Sequence, residues 1–261
     1  MGIVNVTPDS FSDGGTLQTT DQAVAHGLRL VGDGADFIDV GGESTRPGAQ
    51  PLPVEEELPR VIPVIERLVA EGVTTSVDTY KPEVAEAALN AGAVVVNDVT
   101  GLTDPDMQRV VAAADAGVVI MHMRGKPATM QDDPQYDDVV GEVTGFLVDR
   151  AAEAERAGIA RQAIAIDPGI GFGKTIDHNL TLLGNLRVLV ETGYPVVLGT
   201  SRKGFLGRIL GHGGPAAERD PATGATVALA IEQGVATVRV HNVGFTTQIA
   251  RTVEAIMRGT V

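Results

Sequence analysis

The chain has 261 residues, 43% of them hydrophobic and only 3% aromatic, with 34 acidic against 20 basic side chains and a formal net charge of -14. That length supports one large domain with a sizeable core; the charge argues against a nucleic-acid partner, which wants clustered Lys and Arg, but leaves room for a small anion held by a few converging cations. No cysteine is present, no apolar run approaches the ~20 residues of a membrane span, and no basic-then-apolar leader opens the chain, so a soluble cytoplasmic protein without disulfides or membrane contact is the default expectation.

Short β-branched runs recur eight times: GIVNV at 2–6, DFIDV at 36–40, TTSVD at 74–78, VVVND at 94–98, GVVIMH at 117–122, AIAID at 163–167, PVVLG at 195–199 and ATVRVH at 236–241. Helical patterns lie between them, over 21–33, Val54 to Val69, 81–91, 105–115, 138–157, 177–191, 220–233 and 245–258. In the second, Val54, Leu58, Val61, Ile62, Ile65, Leu68 and Val69 follow the helical period, and Pro63 is expected to kink it. Strands apolar on both faces that alternate with helices eight times predict an α/β fold, a single-domain (β/α)8 TIM barrel over 1–261, rather than an open doubly wound sheet. Long polar connections follow strands 1, 2, 5, 6 and 7, whereas short glycine turns lead back into strands, which places the functional rim at the strands' C-terminal ends.

Polar residues end every strand: Asn5, Asp39, Asp78, Asn97 with Asp98, His122, Asp167, then Ser201 and Lys203 after strand 7, and Arg239 and His241 at strand 8. A carboxylate ending a strand also serves as a helix cap or loop staple, but eight such ends converging on one mouth favour a site for a polar ligand. Asp78, Asn97 and Asp167 suit a flat heterocycle with several N–H donors, while Arg46, Lys203, Arg239 and His241 suit phosphate or carboxylate groups. The turn into TSRKGFLGRIL (200–210) offers free N–H groups at a helix start. The five histidines lack metal-ligand spacing, and Asn5 is a candidate ligand for Mg2+ carried in on a phosphate.

The segments MGIVNVTPDSFSDGG (1–15), DVGGESTRPGA (39–49), SVDTYKPEVA (76–85), VNDVTG (96–101), MHMRGKPATMQ (121–131), DPGIGFGKT (167–175), SRKGFLG (201–207) and RVH (239–241) resemble bacterial dihydropteroate synthase along essentially the whole chain. The resemblance implies a pterin-binding barrel, usually a homodimer, that uses Mg2+, joins 6-hydroxymethyl-7,8-dihydropterin diphosphate to p-aminobenzoate for folate synthesis, and is a sulfonamide target or a resistant variant of one. It places the pterin on Asp78, Asn97, Asp167 and Lys203 with Arg239 on its face. It places the diphosphate on Asn5, Thr45, Arg239 and His241, with Mg2+ at Asn5, and the p-aminobenzoate among Phe11, Thr45, Arg46, Pro47, Phe172 and Ser201. Lys203, Arg239, Arg46 and Asp78 are the implied catalytic residues. A methyltetrahydrofolate-type pterin-binding barrel and a non-catalytic pterin-binding paralogue are the alternatives; neither accounts for intact STRP and SRKGFLG segments. Asn242 stands where the family usually has Asp, which bears on how His241 is oriented, the family's short leading segment is absent, and Ile170 is an apolar exchange within the otherwise intact PGIGFGK motif. No insertion interrupts that motif. Because Arg46 lies in a loop and not at a strand end, Arg46→Ala is expected to weaken p-aminobenzoate use far more than pterin binding in the absence of diphosphate; equal loss of both by calorimetry would put Arg46 in the permanent pterin pocket.

Overall fold

The computed structural model describes residues 1–7, 19–44, 48–211 and 213–260. Among them, eight strands alternate with helices: β1 (Gly2–Asn5), α1 (Thr20–Gly32), β2 (Ile38–Gly41), α2 (Val54–Ala70), β3 (Thr75–Asp78), α3 (Pro82–Asn90), β4 (Val95–Asp98), α4 (Pro105–Ala113), β5 (Gly117–Met121), α5 (Val139–Arg156), β6 (Ile164–Asp167), α6 (Ile176–Gly184), α7 (Leu186–Val190), β7 (Val197–Leu198), α8 (Gly204–Ile209), α9 (Asp220–Glu232), β8 (Thr237–Val238) and α10 (Val243–Arg258). Strands β1 to β6 pair in sequence order, all parallel, and β7 pairs with β8. Parallel bridges from Ile166 to Val196 and from Gly2 to Val240 join the two groups at both edges, so the ladder closes into the (β/α)8 barrel.

Closure explains why the strands are apolar on both faces. Ile38, Val40, Val77, Val96, Ile120 and Ile166 from the strands and Leu68, Val84, Met107, Leu147, Leu182 and Leu186 from the helices are all 0% exposed. Each such side chain contributes about 1.5–3 kcal/mol relative to leaving it in water. Helix starts are set by side-chain acceptors: Asp104 takes the Asp106 N–H at 2.8 Å, Asp138 the Gly141 N–H at 3.1 Å and Thr175 the His178 N–H at 3.1 Å.

Four elements differ from the sequence expectation. The helix predicted over 177–191 breaks at Asn185, whose side-chain amide donates to the Thr181 carbonyl at 2.8 Å and so competes with the backbone for it. β7 and β8 are two residues each, because single bridges rather than full ladders tie them to β6 and β1. In α2 the buried stripe is Glu57, Val61, Val64, Ile65 and Leu68, so that Val64 and the charged Glu57 are buried where the helical period pointed to Val54, Leu58, Ile62 and Val69; Pro59 and Pro63 both lie within the helix. Among the described residues no helix is long and apolar enough to cross a membrane.

Glu57 is a wholly buried carboxylate in that apolar stripe, and its partner lies on the next unit. Lys81, the residue before α3, donates Nζ to Glu57 and to Glu43, which follows β2. Tyr80 Oη donates to Glu43 at 2.9 Å, and Arg60 Nη1 to the Gly42 carbonyl at 3.2 Å. One lysine thus ties α2, α3 and the stem of the β2 loop. Lys81→Met, which strands buried carboxylates without a counter-charge, is expected to cost about 3 kcal/mol in urea unfolding, with Glu57→Gln in the same background restoring part of it. Wild-type stability in Lys81→Met would show that the cluster is not what joins these units.

Candidate active site

Register builds the mouth of the barrel. Asn5 stands beside Gly41, Gly41 beside Asp78 and Asp78 beside Asn97, so the ends of β1 to β4 form one row. Gly41 lies between Asn5 and Asp78: a Cβ there would be in ordinary contact, 3.6 Å from both Asn5 Oδ1 and Asp78 Oδ2. Two residues back along β2, and hence on the same face, sits the wholly buried Asp39. It accepts from Ser76 Oγ at 2.6 Å, Asn97 Nδ2 at 3.1 Å and Arg239 Nε at 2.6 Å. Arg239, next after β8, also donates Nη2 to Asp78 Oδ2 at 2.6 Å. One guanidinium therefore holds two carboxylates, and the lower of these orients the Asn97 amide.

Burial pushes the Asp78 carboxyl up, to about 7, with Arg239 opposing and the charge of Asp39 adding. Burial also opposes charge on Arg239, but Asp39 and Asp78 outweigh it and keep the guanidinium protonated.

The other side of the mouth belongs to β6 and β7. Asp167 Oδ1 accepts the Gly169 N–H at 2.7 Å, while a Cβ on Gly199 would lie 3.9 Å from Asp167 Oδ2 and 4.0 Å from Lys203 Nζ. Lys203 donates to the Ile170 carbonyl and lies 4.7 Å from the centre of the Phe172 ring. Burial lowers the Lys203 ammonium, to about 8, with Asp167 opposing and Arg239 adding, and raises the Asp167 carboxyl against the pull of Lys203. Gly169, at φ +64°, brings the chain against β5: a Cβ there would run into the His122 carbonyl.

Ser201 Oγ receives the His241 N–H at 3.1 Å and pairs with His241 Nδ1 at 2.9 Å, so this hydroxyl orients the histidine. Asn242 caps α10, its Oδ1 accepting the Phe245 N–H at 3.3 Å, and its Nδ2 donates to Asp220 at 2.8 Å. Asp220 also takes Arg202 Nε at 2.8 Å and Nη2 at 3.0 Å, so Arg202 is engaged within the fold. A carboxylate therefore stands one contact beyond position 242.

Asn5, Asp78, Asn97, Asp167, Ser201, Lys203, Arg239 and His241 all lie at the C-terminal ends of the strands or just past them, with Phe172 in the loop after β6. Phe11, Thr45, Arg46 and Pro47 lie outside the described residues. Two strand-end residues expected in the mouth face elsewhere. Asp98 accepts from Thr100 N–H at 2.7 Å and Leu102 N–H at 3.1 Å, stapling its own loop, because its neighbour Asn97 takes the inward direction and strand side chains alternate. His122 packs edge-on to Phe146 at 5.0 Å and pairs through Nδ1 with the buried Lys174. Burial and Lys174 lower its pKa to about 3, so it is neutral. Lys174 and Asp220 are the site-supporting residues that periodicity did not reveal, since both act from loops or helix starts. Among the described residues no group of three His, Asp or Glu side chains is placed to hold a metal.

A model of the pterin binding enzyme family matches residues 1–241. The chain belongs to the pterin-binding enzyme family. Dihydropteroate synthase of Escherichia coli (strain K12) is 45% identical over 258 residues, 98% of this chain and 91% of that protein. Dihydropteroate synthase of Xanthomonas albilineans with 4-aminobenzoic acid is 52% identical, with TM-score 0.91 over 98% of this chain and 92% of that one. Dihydropteroate synthase of Yersinia pestis in a sulfonamide drug complex is 41% identical, with TM-score 0.95 over 99% and 94%. Within the pterin-binding family, then, this chain groups with the dihydropteroate synthases.

For a pterin-binding enzyme the row Asp78–Asn97 with Asp167 and Lys203 offers carboxylate acceptors, an amide and a cation, groups whose chemistry suits a flat polar ring. Asp39 reaches that row by its hydrogen bonds with Asn97 and Arg239 and by its charge on Asp78. Asp39→Asn, which leaves the shape but removes the charge beneath Arg239, is expected to weaken pterin binding about tenfold by calorimetry, the scale of one charge-assisted hydrogen bond. Unchanged affinity would show that Arg239 and Asn97 hold their places without it.

Proposed function

We infer that the chain condenses 6-hydroxymethyl-7,8-dihydropterin diphosphate with p-aminobenzoate, yielding 7,8-dihydropteroate and pyrophosphate. The observation that carries this is the convergence of Asp78, Asn97, Asp167, Lys203 and Arg239 on one barrel mouth in a chain so similar to dihydropteroate synthases over nearly its whole length. The pterin methylene C–O bond breaks and the diphosphate leaves with the electron pair. The arylamine nitrogen then donates its pair to the cationic methylene, and its surplus proton passes to the departing diphosphate or to water. No strong base is required; stabilisation of charge on both sides is. Asp78 and Asp167 favour the electron-poor ring, while Arg239 and His241 receive the diphosphate.

Mg2+ is proposed on the diphosphate side. Asn5 fits it, since its amide oxygen stands at the mouth beside Asp78 and Mg2+ carried by a phosphate keeps waters and needs few protein ligands. Bound there, the ion would neutralise diphosphate charge. Phe172 and Ser201 with Phe11, Thr45, Arg46 and Pro47 are the proposed p-aminobenzoate pocket, and sulfonamides the proposed competitors, in line with the drug complex of the Yersinia pestis enzyme. A homodimer is proposed, supported by exposed Leu229, Phe245, Ile256 and Met257 on α9 and α10. With no cysteine in the chain, the reducing cytoplasm is the proposed compartment.

The deciding assay incubates the protein with the dihydropterin diphosphate and Mg2+, with and without p-aminobenzoate, and measures dihydropteroate and pyrophosphate. Pterin binding without arylamine-dependent product would leave a non-catalytic pterin binder. The pH profile is also specified. Asp78 must be ionised, which happens as pH rises through about 7, and Lys203 must be charged, which fails as pH rises through about 8. A narrow bell in kcat/KM between those limbs is expected, and Asp78→Asn is expected to lower activity and abolish the acid limb.

A further inference from the structure

The loop 169–173 after β6 has neither helix nor strand, yet each of its carbonyls meets a side-chain donor. Lys174 Nζ reaches Gly169 O at 3.1 Å and Phe172 O at 3.0 Å, Lys203 reaches Ile170 O, Gln131 Nε2 reaches Gly171 O at 2.7 Å and Tyr136 Oη reaches Gly173 O at 2.9 Å. The Gly171 N–H donates in turn to Asn179 Oδ1 at 2.7 Å. Lys174 is only 2% exposed and faces no carboxylate within hydrogen-bond reach among these contacts; its other two partners are His122 Nδ1 at 2.9 Å and the His122 carbonyl at 3.4 Å. A buried lysine with carbonyl and imidazole acceptors in place of an ion-pair partner is costly to keep, and what it fixes here is backbone on either side of Phe172. Tyr136 does the same from outside, with its ring edge-on to His178 at 4.9 Å.

We propose that Lys174 and Tyr136 are positioning residues for the arylamine: they hold the 169–173 backbone so that the Phe172 ring forms a fixed wall of the p-aminobenzoate pocket. The proposal rests on the assignment of Phe172 to that pocket. Neither residue donates a hydrogen bond to the row proposed for the pterin; Lys174 reaches it only through its charge beside Asp167 and Tyr136 has no contact with it, so their loss acts chiefly on one substrate. The loop and its clamp were absent from the strand-end pattern because carbonyl acceptors carry no side-chain signal.

The test measures KM for p-aminobenzoate, kcat and calorimetric affinity for the dihydropterin diphosphate in Phe172→Ala, Lys174→Met and Tyr136→Phe. Lys174→Met is expected to raise the arylamine KM about tenfold and Tyr136→Phe about threefold, with pterin affinity and kcat within about twofold of wild type. Tyr136→Phe keeps the ring and removes one hydroxyl, so it reports even where Lys174→Met does not fold. If Phe172→Ala raises KM while Tyr136→Phe and any folded Lys174→Met keep wild-type values, the proposal is overturned and the pocket assignment stands. Unchanged KM in Phe172→Ala overturns both, and equal loss of pterin affinity in the Lys174 and Tyr136 variants overturns the division of labour between the two substrates.

Discussion

The Arg239 guanidinium between Asp39 and Asp78 is the constraint on which the mouth of the barrel depends. It crosses from the last strand to the second and third, at 2.6 Å to each carboxylate. Two buried carboxylates side by side repel each other and resent the loss of water; the shared cation is what makes their approach tolerable. Asp39, so held, in turn fixes Ser76 and Asn97. The groups proposed to meet the pterin are thereby aligned before any ligand arrives, which is what stabilising a developing charge requires.

Around that fixed centre the site extends into loops with no regular hydrogen bonding of their own. Their backbone groups are satisfied by side chains instead: the 169–173 carbonyls by Lys174, Lys203, Gln131 and Tyr136, and the turn after β4 by Asp98. Buried carbonyls and N–H groups need partners wherever they lie, so a loop that must be rigid recruits polar side chains from its neighbours. The same logic explains Asn242. Its amide caps α10 and donates to Asp220, leaving the carboxylate of Asp220, rather than one at position 242, near His241.

Polarity at a strand end is one signal with two meanings. Asp78 and Asp98 each close a parallel strand, yet Asp78 joins the ligand-facing row and Asp98 staples its own loop. Asn97 decides the difference: inward direction taken by one residue is denied to the next. His122 likewise ends its strand but turns to Lys174 and Phe146. Lys203 has both roles, facing Asp167 across Gly199 and clamping Ile170 at once.

Periodicity and composition alone determined the alternation of eight strands with helices, closure into a barrel and the rim at which the polar strand ends gather, because apolar burial on both faces of a strand leaves a regular imprint on the chain. The polar strand ends also named Asn5, Asp78, Asn97, Asp167, Lys203 and Arg239. Tertiary structure alone decided which carboxylates share Arg239, that Ser201 orients His241, that Asp98 and His122 turn away, and that Lys174 and Tyr136 secure the backbone beside Phe172. These depend on register across strands, on which of two opposite directions a side chain takes, and on contacts such as the 161-residue separation of Asp78 and Arg239. No local pattern encodes a partner so distant in the chain, because the pairing exists only once the barrel has closed.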